Sequence, residues 1–375
     1  MEQLYIAIDP GFDSMKIVAN REAFKFPFNV VETDERRMQD YALRSDFLMY
    51  KGRLGTTYRV GQYARELVFE NKQQAEDKMA GFYDEERFVS EEFSVGLDTA
   101  IALAIDKVGL YTNQDDLDIH LIVALPHALR DKFASTIIGR ATGEHSFSLR
   151  AGTDIEKAYH FTIKSNQVKT VSQTIAAILG ETSNESGNVD ARKAFYLTQG
   201  PTLVLDGGYY TFGMVAVSRG GTVDNSKTES DTLHAMKNVN MKITDAIREV
   251  RPDVQHYIIE YLLSKNEGMI RYISKDGKAE TIDLKKIKKH MVREVCTDFI
   301  QYLNVKYNNL LDFSYVLVTG GTGASYFRQM LNYYKELGLF NEDNFLLTSS
   351  ELGGKHYPIE YAIAIGAYKG LKATG

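Results

Sequence analysis

The feature that most constrains this chain is a short pattern that occurs twice. Near the start it reads Ile6-Ala7-Ile8-Asp9-Pro10-Gly11-Phe12-Asp13-Ser14-Met15-Lys16-Ile17-Val18-Ala19. In the middle it reads Leu203-Val204-Leu205-Asp206-Gly207-Gly208-Tyr209-Tyr210-Thr211-Phe212-Gly213-Met214-Val215-Ala216. Laid together without a gap, Asp9 meets Asp206, Gly11 meets Gly208, Phe12 meets Tyr209 and Ser14 meets Thr211. Each copy is an apolar run, an acidic residue, a glycine-bearing turn and a second apolar run, which predicts strand, tight turn, strand. Two such hairpins so far apart predict two halves with related folds.

The rest of the chain fits two α/β halves. His120 to Leu125 reads as a buried strand stopped by Pro126, and Tyr159 to Ile163 as another. Val171 to Gly180 is apolar at helical spacing and ends in glycine, a helix signal. Phe47 to Tyr63 predicts a hairpin turning at Lys51-Gly52, and Leu284 to Asn304 a long amphipathic helix. Tyr315 to Val318 predicts a strand running into the glycine-rich turn Thr319-Gly320-Gly321-Thr322-Gly323, and Tyr357 to Gly370 a closing helix. The charged stretch Asn71 to Phe93 is expected to be mobile or solvated, and the polar stretch Glu181 to Gly200 to be a loop at a domain boundary. Strands alternating with helices place the chain in the α/β class.

Composition excludes several classes of function. The 375 residues suffice for two or three domains. A net charge of −6 argues against direct nucleic-acid binding, which draws on Lys and Arg against phosphate. The single cysteine, Cys296, can form neither an internal disulfide nor a thiolate zinc cluster, and it fits a reducing, cytoplasmic setting. No apolar run approaches the roughly 20 residues of a membrane span, and the opening Met-Glu-Gln-Leu has no signal-peptide pattern. The histidines show no metal-ligand spacing. The cluster Lys285, Lys286, Lys288 and Lys289 reads as a solvated helix face.

The two hairpins carry chemistry suited to an anion. A glycine turn after a strand lets backbone N–H groups converge on phosphate. The Ser14 and Thr211 hydroxyls and the Lys16 ammonium add donors. The carboxylates of Asp9 and Asp206 would repel phosphate, but they make sense beside a Mg²⁺ with waters completing an octahedron. Either hairpin alone also reads as an ordinary turn; the pair, with the Thr319–Gly323 turn, does not. That turn lacks the Gly-Lys-Ser/Thr of a P-loop.

Three motifs then carry a resemblance. Asp-x-Gly-x-x-x-x-Lys at Asp9 to Lys16, Asp-x-Gly-x-x-Thr at Asp206 to Thr211 and the Thr-Gly-Gly turn at Thr319 to Gly321 resemble the phosphate and adenosine motifs of the actin, sugar-kinase and heat-shock-chaperone superfamily. Their order and spacing match across nearly the whole chain. Within that superfamily the chain is most similar to the bacterial actin-like ParM/StbA group of plasmid-segregation filaments. Tyr58-x-Val60-Gly61-x-x-Ala64 resembles a small-subdomain pattern of that group, and Val171 to Ala177 resembles its first connecting helix.

The resemblance implies an actin-like ATPase fold, two RNase-H-like domains around a nucleotide cleft with inserted smaller subdomains. Domain I would comprise 1–180 and 357–375, with an insert over about 30–95, and domain II 200–356. It implies ATP or GTP with Mg²⁺. Asp9 and Asp206 would be the metal-side carboxylates. Gly11, Phe12, Asp13, Ser14 and Lys16 would line one side of the phosphates, and Gly208, Tyr209, Tyr210 and Thr211 the other. Gly320, Gly321 and Thr322 would lie against ribose and base, and Gln173 would orient the hydrolytic water. Pro358 to Gly366 would belong to the second connector. The implied function is a slow ATPase that polymerises with itself and engages plasmid DNA through a ParR-type adaptor, with no membrane contact.

There are departures from the family pattern. Tyr209 stands where many relatives carry a second glycine, Gly213 where an Asp often follows, and Asp13 where Thr or Gly is common, so the Asp13 side chain is expected to point away from the phosphates. A small-molecule kinase of the same superfamily is the alternative, and it requires a carboxylate base for which Asp13 is the only candidate. A chaperone would carry a long extension past the second connector, whereas this chain stops at Gly375. Membrane-associated relatives such as MreB and FtsA carry an amphipathic terminal segment, which neither end shows.

Overall fold

The computed structural model describes residues 2–33, 46–70, 85–191, 193–194, 199–264, 267–274 and 276–374. The chain divides into two compact units, Met1–Leu197 with Thr348–Gly375, and Thr198–Leu347.

In the first unit β1 (Glu2–Pro10), β2 (Ser14–Ala19) and β3 (Glu22–Pro27) form an antiparallel meander. β4 (Val30–Thr33), β5 (Leu48–Gly52), β6 (Thr57–Val60) and helices α1 (Gln62–Glu70) and α2 (Glu91–Lys107) follow. β7 (Leu117–Leu125) then returns parallel to β1. Helix α3 (His127–Ala141) and the hairpin β8 (Gly143–Ala151) and β9 (Lys157–Ile163) lead to β10 (Val168–Ser172), which lies parallel to β7 and runs straight into α4 (Gln173–Thr182). The sheet order is β10-β7-β1-β2-β3. β1 is buried on both faces, which is why it reads as an unbroken apolar run. Leu4, Ile6 and Ile8 join a core with α2 and β7, whereas Tyr5 and Ala7 face a second core.

The second sheet of this unit has the order β4-β6-β5-β8-β9 and is antiparallel throughout. Two of its five strands come from residues 143–163. In β8, His145, Phe147 and Leu149 point inward on alternate positions, the period-2 signal of a half-buried strand.

Several boundaries move. The β5–β6 strands pair through Lys51–Thr57, so the turn lies at residues 53–56 rather than at Lys51-Gly52. Val171 and Ser172 belong to β10, and the helix begins at Gln173. Of the charged stretch, residues 71–84 lie outside the described residues. The remainder is solvated only in part: Glu86, Val89, Glu91 and Glu92 are exposed, but Phe88 and Phe93 are fully buried, Arg87 is buried, and Ser90 caps α2 by accepting the Phe93 N–H at 3.1 Å. Glu181 and Thr182 still belong to α4.

The second unit contains β11 (Thr202–Gly207), β12 (Phe212–Val217), β13 (Val223–Asp231), α5 (Met236–Arg248) and α6 (His256–Ser264). The ribbon β14 (Met269–Ile273) and β15 (Ala279–Asp283) leads into α7 (Leu284–Lys306), β16 (Tyr315–Thr319), α8 (Gly320–Glu336) and β17 (Phe345–Leu347). Asp283 starts α7 by accepting the N–H groups of Lys285 and Lys286. Val295, Cys296, Phe299, Ile300 and Leu303 form its buried stripe, and burial pushes the Cys296 thiol up to about 12. The sheet reads β17-β16-β11-β12-β13, with two parallel pairings followed by two antiparallel ones. That is the pattern of the first unit's main sheet, strand for strand. The repeat in the sequence marks a repeat of sheet topology.

The chain then returns to the first unit through the small hairpin β18 (Glu351–Leu352) and β19 (Lys355–His356) and the closing helix α9 (Ala362–Thr374). A short 3-10 turn, Ile359–Tyr361, precedes the helix, which therefore begins later than Tyr357. α9 packs on α4 backbone to backbone: a Cβ on Gly366 would overlap the Ala176 carbonyl. Among the described residues no helix is long and apolar enough to cross a membrane.

Candidate functional site

In the first unit the strands β10, β7 and β1 run parallel, and their C-terminal ends bring Gln173, Pro126 and Asp9 to one edge of the sheet. That edge is where open α/β sheets bind ligands. The β1–β2 ladder sets Asp9 opposite Lys16, leaving Gly11, Phe12 and Asp13 as the connecting loop, with Ser14 opening β2. The buried Asp9 carboxylate has Oδ2 3.4 Å from Lys16 Nζ, and its Oδ1 accepts Gln173 Nε2 at 2.7 Å. Lys16 folds back over Gly11 so closely that a Cβ there would collide with its ammonium. Asp9, Gly11 and Lys16 of one hairpin and the distant Gln173 therefore form one cluster.

Two arginines that sequence reasoning missed complete it. Arg65, on α1, donates through Nη2 to the Asp13 carbonyl at 2.7 Å and to Asp13 Oδ1 at 3.0 Å, and through Nε to Asn29 at 2.8 Å. The Asp13 carboxylate is thus held by a guanidinium. Arg87, in the 3-10 turn Glu85–Val89, donates through Nη2 to the Pro10 carbonyl at 2.5 Å and through Nη1 to the Gly11 carbonyl at 3.2 Å. Its guanidinium lies 4.0 Å from the Phe12 ring centre, a cation–π contact. Burial draws it down to about 9, against the pull of Asp9. Neither arginine lies in a recognisable motif. The available signal was the pair Phe88 and Phe93, large apolar residues inside a charge-rich stretch.

The second unit builds its loop differently. Asp206, half-buried, stands opposite Gly213 in the antiparallel ladder and Thr319 in the parallel one. The Gly208 N–H donates to the Thr211 carbonyl at 2.9 Å and closes the turn. The glycine-rich stretch after β16 is not a loop: α8 begins at Gly320 itself. Gly320 has φ +77°, a left-handed conformation that glycine adopts without strain. A Cβ on it would collide with the Gly207 carbonyl and lie 2.9 Å from Asp206 Oδ1. A Cβ on Gly207 would in turn collide with the Gly323 amide. Thr322 Oγ1 donates to the Gly208 carbonyl at 2.6 Å, so Asp206, Gly208, Gly320 and Thr322 sit together, with Gly321 in the first turn of α8. Helix N-termini of this kind favour anions.

Tyr209 reaches away from the turn, where its hydroxyl donates to the buried Glu260 of α6. Its carbonyl accepts the Lys237 N–H at 2.8 Å. The Tyr210 ring lies 4.7 Å beneath the Lys237 ammonium, which burial draws down. Tyr209 is thus an anchor between the loop and α6.

Among the described residues no group of three His, Cys, Asp or Glu side chains is placed to hold a metal by itself. Asp9 and Asp206 each offer a single carboxylate, and the two oxygens of Asp9 already face Lys16 and Gln173. A lone carboxylate of this kind would suit Mg²⁺ only with waters and phosphate oxygens filling the rest of the shell.

No family model matches the chain, and no curated protein matches it. Solved structures do. The chain superposes on the 15-stranded ParM filament from Clostridium botulinum with TM-score 0.67 and 18% identity over 98% of each chain. It matches the actin-like protein Alp7A with TM-score 0.72 and 14% identity over 100% of this chain and 97% of that one. Against Bacillus thuringiensis ParM with AMPPNP the TM-score is 0.61 at 14% identity, covering 98% of each. What survives at such identities is architecture: the chain has the actin-like fold, in common with ParM and Alp7A.

Proposed function

We propose that this chain is a nucleotide-dependent, polymerising actin-like ATPase whose filaments segregate plasmid DNA through a separate DNA-binding adaptor. The observation that carries the reading is the recurrence of one carboxylate-and-glycine hairpin at the same place in two sheets of the same topology. Both loops act on a single nucleotide in this reading. Gly11, Phe12, Ser14 and Lys16 serve its phosphates from the first unit, and Gly208 to Thr211 from the second, while Gly320, Gly321 and Thr322 serve ribose and base. Lys16 is the full positive charge of the first loop. Asp9 and Asp206 would hold Mg²⁺ through waters, and that ion would neutralise charge growing on the phosphate oxygens.

Gln173 orients the attacking water in this reading. Its Nε2 donates to Asp9, so its carbonyl oxygen is the atom left to accept a hydrogen bond from water. An amide takes up no proton at neutral pH, and hydrolysis is therefore slow, which suits a filament timer. A triphosphate-bound state that favours subunit addition and a hydrolysed state that weakens it amount to a population shift set by the nucleotide. The net charge of −6 argues against bare DNA binding by this chain, so in this reading DNA contact falls to the adaptor. The kinase alternative needs Asp13 as a free base, and Arg65 already neutralises it.

Sedimentation with negative-stain microscopy tests the proposal. With ATP·Mg²⁺ or GTP·Mg²⁺ the protein is expected to pellet as filaments, and without nucleotide to stay in the supernatant. A protein that never pellets but phosphorylates a small alcohol would overturn it.

A further inference from the structure

The Arg87 guanidinium is buried, yet no carboxylate lies within ion-pair distance of it among the described residues, and its Nε has no hydrogen-bond partner. Buried cations are normally paired, because an uncompensated charge away from water is costly. Here the five-donor fork is spent on two backbone carbonyls, those of Pro10 and Gly11, between the rings of Phe12 and Phe88. Asp9 attracts it but has its oxygens engaged by Lys16 and Gln173. The direction of those bonds matters. In a planar trans peptide the C=O and N–H point opposite ways. A Gly11 carbonyl drawn in towards Arg87 therefore aims the Phe12 N–H to the other side of the loop. The Pro10 carbonyl is held likewise, with the Gly11 N–H turned back to the Asp9 carbonyl at 3.0 Å.

Resting on the nucleotide reading above, we propose that Arg87 is a positioning residue of the first loop: it fixes the Pro10 and Gly11 carbonyls inward, aims the Phe12 amide at the polyphosphate, and leaves its own charge to be neutralised by the ligand. The loop then grades nucleotides by their number of phosphates. A buried charge acts through a low-dielectric surrounding and is screened little by salt, so its effect grows with ligand charge and vanishes for an uncharged nucleoside.

The test is calorimetric titration of the full chain, below the concentration at which it sediments, with AMPPNP·Mg²⁺, ADP·Mg²⁺ and adenosine. The wild type is compared with Arg87→Gln and Arg87→Lys. Arg87→Gln is expected to weaken AMPPNP by at least about tenfold, ADP by less, and adenosine by under about twofold. Arg87→Lys keeps the charge but not the two-carbonyl fork, and falls between the two. An equal loss for all three ligands, as a merely structural residue would give, overturns the proposal, and so does AMPPNP binding within about twofold of wild type in both variants. If Arg87→Gln does not fold, the AMPPNP-to-adenosine ratio of Arg87→Lys decides: a ratio unchanged from wild type overturns the proposal. A wild type that binds no nucleotide overturns the functional reading as well, whereas a binding wild type with indifferent variants overturns this inference alone.

Discussion

The two loops share a backbone plan and are held in opposite ways. The first is held by side chains from distant parts of the chain: Lys16 across the ladder, Gln173 from α4, Arg65 from α1 and Arg87 from the turn before α2. The second is held chiefly by close backbone approach, with Gly207 pressed against Gly320 and Gly323 at the start of α8, and the Gly208 carbonyl accepting the Thr322 hydroxyl. The ladder position opposite the carboxylate shows the contrast in one residue pair, Lys16 in the first unit and Gly213 in the second. Side-chain fastening can be altered without unfolding the sheet beneath it, whereas backbone contact leaves no slack. Changes in the first loop should therefore register in ligand affinity, and changes in the second in stability as well.

The comparison can be broken at four points. The largest effect is expected at Asp206, the acidic residue of the backbone-held loop. Asp206→Ala should lower Mg²⁺-dependent phosphate release by about a hundredfold or more with circular dichroism unchanged. Near-normal turnover would remove Asp206 from the metal side. Next come the paired glycine changes. Gly207→Ala forces a Cβ into the Gly323 amide and should cost about 2–4 kcal/mol in urea unfolding. Gly11→Ala collides with the movable end of Lys16 and only grazes backbone, at the Ser14 carbonyl 3.1 Å away, so it should cost less than Gly207→Ala, about 1 kcal/mol, while weakening nucleotide binding. Equal stability losses at the two glycines would dissolve the distinction.

Gln173→Ala should slow hydrolysis by roughly ten- to a hundredfold yet allow assembly, giving longer-lived filaments. Filaments that disappear as fast as those of the parent would count against its role. The smallest effects concern pH, and they have opposite signs in the two units. His145 is buried and gives up solvation, but its bond to Asp98 at 2.7 Å and the Ala141 carbonyl outweigh that and raise its pKa. Its contribution is complete below the unfolded value of about 6.5 and is lost as pH rises through the higher folded value. Asp231 is also penalised by burial, but bonds from the His234 ring and from the Leu233 and His234 amides lower its pKa. Its contribution is present above about 3.9 and is lost as pH falls through the lower folded value. Urea midpoints measured across pH should show His145→Gln flattening the alkaline slope and Asp231→Asn the acid one. A His145→Gln protein that kept the full alkaline slope would show that another group carries it.

Much of this architecture was legible because it is local. The hairpins at Asp9 and Asp206, the strand ending at Pro126 and the long helix from Leu284 each announce themselves through apolar runs around a turn, a breaker or an amphipathic pattern. What escaped was assembled from a distance. β8 joins the small sheet although it follows β5 by nearly a hundred residues, and its pairing with Leu48 to Gly52 leaves no trace in either segment read alone. Arg87 lies in a charged stretch whose solvated appearance hides a guanidinium turned inward, and Arg65, on α1, carries no local sign that it reaches Asp13. The start of α8 at Gly320 was hidden for another reason: three glycines in five residues suggest a loop, whereas here they allow a helix to begin against another backbone.

In the proposed nucleotide reading the two loops serve one ligand. Calorimetric titration of the chain with AMPPNP·Mg²⁺ measures this directly, through stoichiometry and through the effect of altering each loop alone. The account predicts one nucleotide per chain, with affinity falling sharply for Lys16→Ala and again for Asp206→Ala. Two nucleotides per chain, or tight binding that ignores one of the two substitutions, would contradict it.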